Sequence, residues 1–213
     1  GAASRGLAGD VFRARVADSN APWEILDASQ LLHVNFNGTF SGTSYTAASG
    51  EQMLGSLVSR SANPSISNSA VTLAGGPAAG RIDFTPTDFT LGDNEAITTP
   101  LVAELRFTPT QTGDNQTLFG AGGNLFLRYE SNKLVFGAST KSGDNWTAHK
   151  IESAAATGAE HVVSVAYVPN EAGTGAKLVM RVDGGDAQTK DITGLAYLNS
   201  GIKGKVGFGN EVH

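Results

Sequence analysis

The 213-residue chain has no cysteine, so disulfides, thiol nucleophiles and thiolate metal sites are excluded, and a bound metal would need oxygen or imidazole ligands. Charge is sparse: charged residues make up 16% of the chain, and the fifteen Lys and Arg residues stand singly, against a net charge of −5. Without a basic stripe there is no electrostatic footprint for nucleic acid. No run approaches the ~20 apolar residues of a membrane-spanning helix, and no basic amphipathic helix offers a surface anchor. The expectation is a chain without membrane insertion and without nucleic-acid partners. The opening Gly1-Ala2-Ala3-Ser4 shows no signal-peptide pattern and reads as a trimmed edge, compatible with a removed leader.

Catalytic patterns are missing too. A glycosidase strand would carry acidic residues two apart, so that acid and nucleophile point into one cleft. The nearest pair, Asp93 and Glu95, sits in Gly92-Asp93-Asn94-Glu95, which reads as a solvated turn lacking the burial that raises an acid's pKa. No Gly-x-Ser-x-Gly elbow precedes a helix. His161 opens an apolar strand and His33 lies inside one, so both read as structural; His149 reads as exposed, His213 is terminal, and no two have zinc-ligand spacing. Gly120-Ala121-Gly122-Gly123 joins two strands instead of opening a helix, which argues for a turn over a phosphate cradle.

What is present is glycine and alternation. Twenty-seven glycines punctuate a chain that is 40% hydrophobic, a mixture suited to short strands and tight turns. From Arg81 onward the apolar period is two: Leu101, Ala103, Leu105 and Phe107 alternate with Val102, Glu104 and Arg106. Segments 116–120, 124–129, 133–137, 161–168, 177–182, 188–192 and 205–209 read as further strands. Glu130-Ser131-Asn132 and Asp183-Gly184-Gly185-Asp186 read as hairpin turns, because Asn and Gly tolerate positive φ. The first eighty residues are irregular, with one clear strand at Leu31 to Phe36. Two short helices are expected there, one capped by Asn20 and running through Pro22, Trp23 and Ile25, the other after Gly50 with Met53, Leu54, Leu57 and Val58 on one face.

The ordered set from Leu101 to Phe208 resembles the laminin-G-like and concanavalin A-like jelly rolls of secreted bacterial proteins. The resemblance rests on Leu101 to Phe107, Gln116 to Gly120, the hairpin of Leu125 to Tyr129 with Leu134 to Gly137, the strand His161 to Tyr167, and Leu178 to Gly185 with its Asp-Gly turn. It implies an all-β, two-sheet antiparallel jelly-roll sandwich spanning residues 1–213 as one domain, with the two short helices in the N-terminal third and residues 1–30 as an extension or linker. The chain departs from the family pattern at Ala159-Glu160, where a Trp is usual. It also lacks the final acidic strand that returns beside the first; either the N-terminal region takes that place or the C-terminal strand is truncated.

The resemblance implies a non-catalytic carbohydrate-binding or adhesion-type module of a secreted or cell-surface protein, monomeric, with a glycan or a neighbouring domain as partner. A structural spacer packed against a catalytic domain such as a phosphoesterase or glycosidase is the alternative. A glycoside hydrolase ranks third, disfavoured by the missing acid pair. No cofactor is required. The family often holds a structural calcium near the first strand, and Asn37-Gly38 resembles that neighbourhood, although Asn stands where a hard cation would prefer Asp. Sugar recognition usually needs an aromatic ring flanked by Asp, Asn or Arg. Asp144-Asn145-Trp146 supplies such a cluster, with Tyr129, Arg128 and Asp114 as further candidates. The plainer reading of Trp146 is packing over a sheet edge.

Overall fold

Alternation of apolar and polar side chains puts one face of each strand into a shared interior, and hairpin chemistry sets how successive strands pair. A computed structural model describes residues 5–17, 30–41, 44–48, 56–60, 65–67, 69–76, 81–85, 89–113 and 116–209. They form strands β1 (Arg5–Ala17), β2 (Gln30–Val34), β3 (Thr39–Ser41), β4 (Ser44–Thr46), β5 (Ser56–Arg60), β6 (Ser65–Ser67), β7 (Ala70–Gly76), β8 (Arg81–Thr85) and β9 (Leu101–Pro109). Next come β10 (Gln116–Ala121), β11 (Leu125–Glu130), β12 (Lys133–Ser142), β13 (Asn145–Ala154), β14 (His161–Pro169), β15 (Gly175–Val182), β16 (Gln188–Thr193) and β17 (Val206–Phe208). A 3-10 turn at Ser200–Ile202 is the one helical element among the described residues.

Two runs of strands share β1. One run is β6-β7-β1-β9-β14-β15-β16, and β2 continues beside the far half of β1. The other is β3-β4-β5-β8-β17-β10-β11-β12-β13. The first residues of β1 run parallel to β10, the one parallel pair among the described strands, and thereby join the two runs into a large mixed sheet that curls nearly into a barrel. Leu105, Phe107, Phe119, Leu127, Phe136, Val163, Leu178 and Phe208 meet in one buried cluster inside it. Each such side chain removed from water stabilises by about 1.5–3 kcal/mol.

The all-β class follows the expectation; of the helix expected after Gly50, the described part, Ser56–Arg60, is strand instead. Leu57 and Val58 lie in β5, hydrogen-bonded along β8, because this backbone finds a partner ladder that a short isolated helix would lack. The helix expected at Asn20 to Ile25 lies outside the described residues. The larger correction concerns residues 1–30. Arg5–Ala17 is no extension but a thirteen-residue strand that pairs with β7 and β2 on one edge and with β9 and β10 on the other. It stands beside β9 from Gly9 to Ala17.

Candidate functional site

The site begins with a two-residue hairpin. β12 and β13 pair from Lys133↔Ala154 to Ser142↔Asn145, leaving Gly143 and Asp144 as the turn. Gly143 takes φ +58° while Asp144 does not share a positive φ, the pattern of a turn that needs glycine first. This register places Lys141 directly opposite Trp146. Trp146 is the large apolar side chain left exposed among the described residues, at 53%.

A second segment comes in from far along the chain. Ala196 bridges to Thr140 and Tyr197 to Ala96, which sets the Tyr197 ring edge-on to Trp146 with centroids 5.0 Å apart. The Lys141 ammonium lies over both rings, 5.5 Å from the Trp146 centroid and 5.1 Å from that of Tyr197. The third element is the turn Asp93 to Ala96, closed by the Ala96 amide donating to the Asp93 carbonyl at 3.1 Å. Its central residues, Asn94 and Glu95, both take positive φ, 53° and 60°. Asn adopts that conformation readily, whereas Glu95 is held there at a cost.

Tyr197 ties the elements together by donating its phenol proton to Glu95 Oε1 at 3.0 Å. That hydrogen bond, with partial burial and the carboxylate charge, holds the phenol above its ordinary pKa. Between these elements opens a cleft of about 370 Å3, lined by Asn94, Glu95, Lys141, Gly143, Gly173 and Tyr197. It offers an aromatic corner, one ammonium, one carboxylate and one amide. The arrangement suits contact with a ring that has an apolar face and polar edges.

The sequence-proposed residues separate. Trp146, Asp144 and Asn145 stand together on the exposed β12–β13 hairpin; none of them lines the cleft itself, and Trp146 adjoins it through its contacts with Tyr197 and Lys141. Tyr129 is fully buried and its phenol donates to the Ala155 carbonyl at 2.9 Å, so it has no face left for a sugar. Arg128 packs its guanidinium over Phe126 at 4.0 Å, along the strand from Tyr129 and outside the cleft lining. Asp114 lies outside the described residues. Asp93 and Glu95 form the expected turn. His161, the structural histidine, hydrogen-bonds Asp183 Oδ2 at 2.7 Å through Nδ1 and the Ala156 carbonyl at 2.8 Å through Nε2. His149 is half-buried, not exposed, and contacts Thr140 Oγ1 at 3.2 Å.

Asn37 is exposed, and the Gly38 amide donates to the Tyr45 phenol at 3.1 Å. The pair supplies neutral oxygens only, and among the described residues no three His, Asp or Glu side chains gather. A hard dication prefers carboxylates, so the Asn37-Gly38 donors do not fit calcium well.

Sequence reasoning missed Lys141 and Tyr197. Lys141 had a usable signal, since a two-residue turn at Gly143-Asp144 fixes its cross-strand partner as Trp146. Tyr197 had none, because a loop fifty-one positions after Trp146 reaches it only through the tertiary fold. Comparisons of the chain with protein-family models, with curated proteins and with solved structures found no match.

Proposed function

We propose that the chain is a non-catalytic carbohydrate-binding or adhesion-type module of a larger secreted or cell-surface bacterial protein, and that its curled strand network is a jelly-roll sandwich of the concanavalin A-like type. The observation that carries the reading is the exposed Trp146 ring set against Tyr197, which itself lines an open cleft with Lys141, Glu95 and Asn94. A pyranose presents the flat apolar face that such an exposed ring accommodates. Glu95 is the single carboxylate lining the cleft and is engaged by Tyr197, which fits binding better than paired-acid hydrolysis.

A glycan array covering plant, microbial and host sugars tests this reading. Binding in the micromolar to millimolar range is expected, reduced roughly thirtyfold by Trp146→Ala, as for a central aromatic anchor worth about 2 kcal/mol. Silence across the array overturns it.

A spacer packed against a neighbouring domain is the second reading. It draws on the partly exposed Val168, which packs over a small second apolar cluster, already buried, of Val102, Ala166 and Val179 on β9, β14 and β15. Beside it lies a hollow of about 560 Å3 lined by Val168, Pro169, Ala176, Val179 and Ile192. Tight association with an adjoining domain, abolished by Val168→Asp and untouched by Trp146→Ala, would favour that reading.

A further inference from the structure

Within the cleft, the two charged side chains are not equivalent. The Glu95 carboxylate is occupied as acceptor for the Tyr197 phenol. Lys141 has no such partner: it rests its ammonium over two π faces, and among the described residues no carboxylate comes within ion-pairing distance of it. The nearby cation of Lys203 differs, lying 3.9 Å from Asp93. Lys141 is thus a fixed positive charge at the aromatic corner with its donors still available.

We propose that the saccharide unit taken by this cleft is a hexuronate, its apolar ring face on Trp146 and its carboxylate on Lys141 Nζ. The inference rests on the carbohydrate reading above and adds the charge of the sugar. Trp146 keeps 53% of its surface exposed with Lys141 already over the ring, which leaves indole surface for a sugar face beside the ammonium. The Asn94 amide and the peptide groups at Gly143 and Gly173 line the remaining wall and suit hydroxyls. A Cβ built on Gly143 or Gly173 meets nothing within 4 Å, so the wall is open toward a chain of linked sugars. The net charge of −5 opposes any long-range pull on a polyanion. The preference is therefore local, and as an exposed ion pair it weakens as salt shortens the Debye length from about 10 Å at 0.1 M toward about 3 Å at 1 M.

The test is calorimetric titration with oligomers of polygalacturonate, alginate and hyaluronate, each against its carboxyl-methylated ester, at low and at high salt. An ester keeps the ring and removes the charge. At least one acid form is expected to bind roughly fivefold tighter than its ester, the worth of one exposed ion pair, with the gap closing in high salt. Lys141→Gln abolishes the gap, Lys141→Arg retains it, and Trp146→Ala weakens acid and ester alike. Equal affinity for acid and ester, or a gap that survives in Lys141→Gln, overturns the hexuronate assignment. Binding of neutral sugars alone overturns the assignment and leaves the carbohydrate reading standing, whereas no binding of any sugar removes both.

Discussion

The two ends of β12 treat their aromatic side chains in opposite ways. At the Ser131-Asn132 turn, Tyr129 is fully buried; its phenol donates to the Ala155 carbonyl at 2.9 Å and lies 2.7 Å from the Thr157 hydroxyl. Asn132 completes that end, accepting from the Thr157 amide and hydroxyl. At the Gly143-Asp144 turn, Trp146 stands exposed, and the nearest phenol, Tyr197, reaches an exposed carboxylate. The difference teaches how to sort aromatics. A buried ring whose polar tip ends on backbone is part of the structure, while an exposed ring backed by charged groups is free to meet something else.

The largest expected effect tests that division directly. Tyr129→Ala should cost about 3–5 kcal/mol through the cavity it leaves, whereas Trp146→Ala should stay within about 0.5 kcal/mol, as surface changes usually do. Denaturant midpoints measure both, and a similar loss at the two sites would break the comparison. Next in size is a pair of hydroxyl deletions. The buried Tyr167 phenol donates to the Ile97 carbonyl at 2.7 Å and accepts from the Ala196 amide at 3.1 Å. Tyr167→Phe strands both backbone groups and should cost about 1–3 kcal/mol. Tyr197→Phe, whose partner sits in solvent, should cost almost nothing; an equal loss would show that the open end is part of the folded framework.

Smaller still, and of opposite sign, is the strain at the cleft. Glu95 holds φ +60° without being Gly or Asn, a conformation costing about 1–2 kcal/mol for an ordinary residue. Glu95→Gly should therefore raise the unfolding free energy, read from the denaturant midpoint, by up to about 1 kcal/mol while weakening sugar binding, because Tyr197 loses its anchor. A lower midpoint would mean that the hydrogen bond outweighs the backbone cost.

The same contrast between ends explains what the sequence made legible. In β9 and β14 core residues keep strict parity: Leu101, Ala103, Leu105 and Phe107 in the first, and Val163, Val165 and Tyr167 in the second, all face the main core. In β1 the parity breaks. Leu7 and Val11 face inward, then Ala14 and Val16 do, because a bulge between Val11 and Arg13 inserts a residue and flips every later side chain. An alternation interrupted that way reads as irregular, which is why the most connected strand looked like a linker. Strands such as Thr39–Ser41 and Ser65–Ser67 are three residues long and offer no period to detect. The site divided likewise: Trp146 and its hairpin were local and visible, while Glu95 and Tyr197 join it through contacts a hundred residues apart that only the fold creates.

The smallest expected effect lies between the two ends, at His149 on the same strand as Trp146. Burial first, and the positive charge of Lys190 second, hold its imidazole below the ordinary value of 6.5. The unfolded chain therefore takes up this proton at higher pH than the folded protein does. The resulting stability is complete above about pH 6.5 and declines as the pH falls toward the folded value. His149→Gln should remove that part of the acid slope, and Lys190→Gln should remove a smaller part, since burial is the leading cause. Denaturant midpoints at ~pH 7.5 and ~pH 5.5 read the difference. Trp146→Ala should leave the slope unchanged, because Trp146 is not among the groups that act on the imidazole. A slope equal in the native protein and in His149→Gln would mean that this edge of the sheet is too open to water to tune a charge.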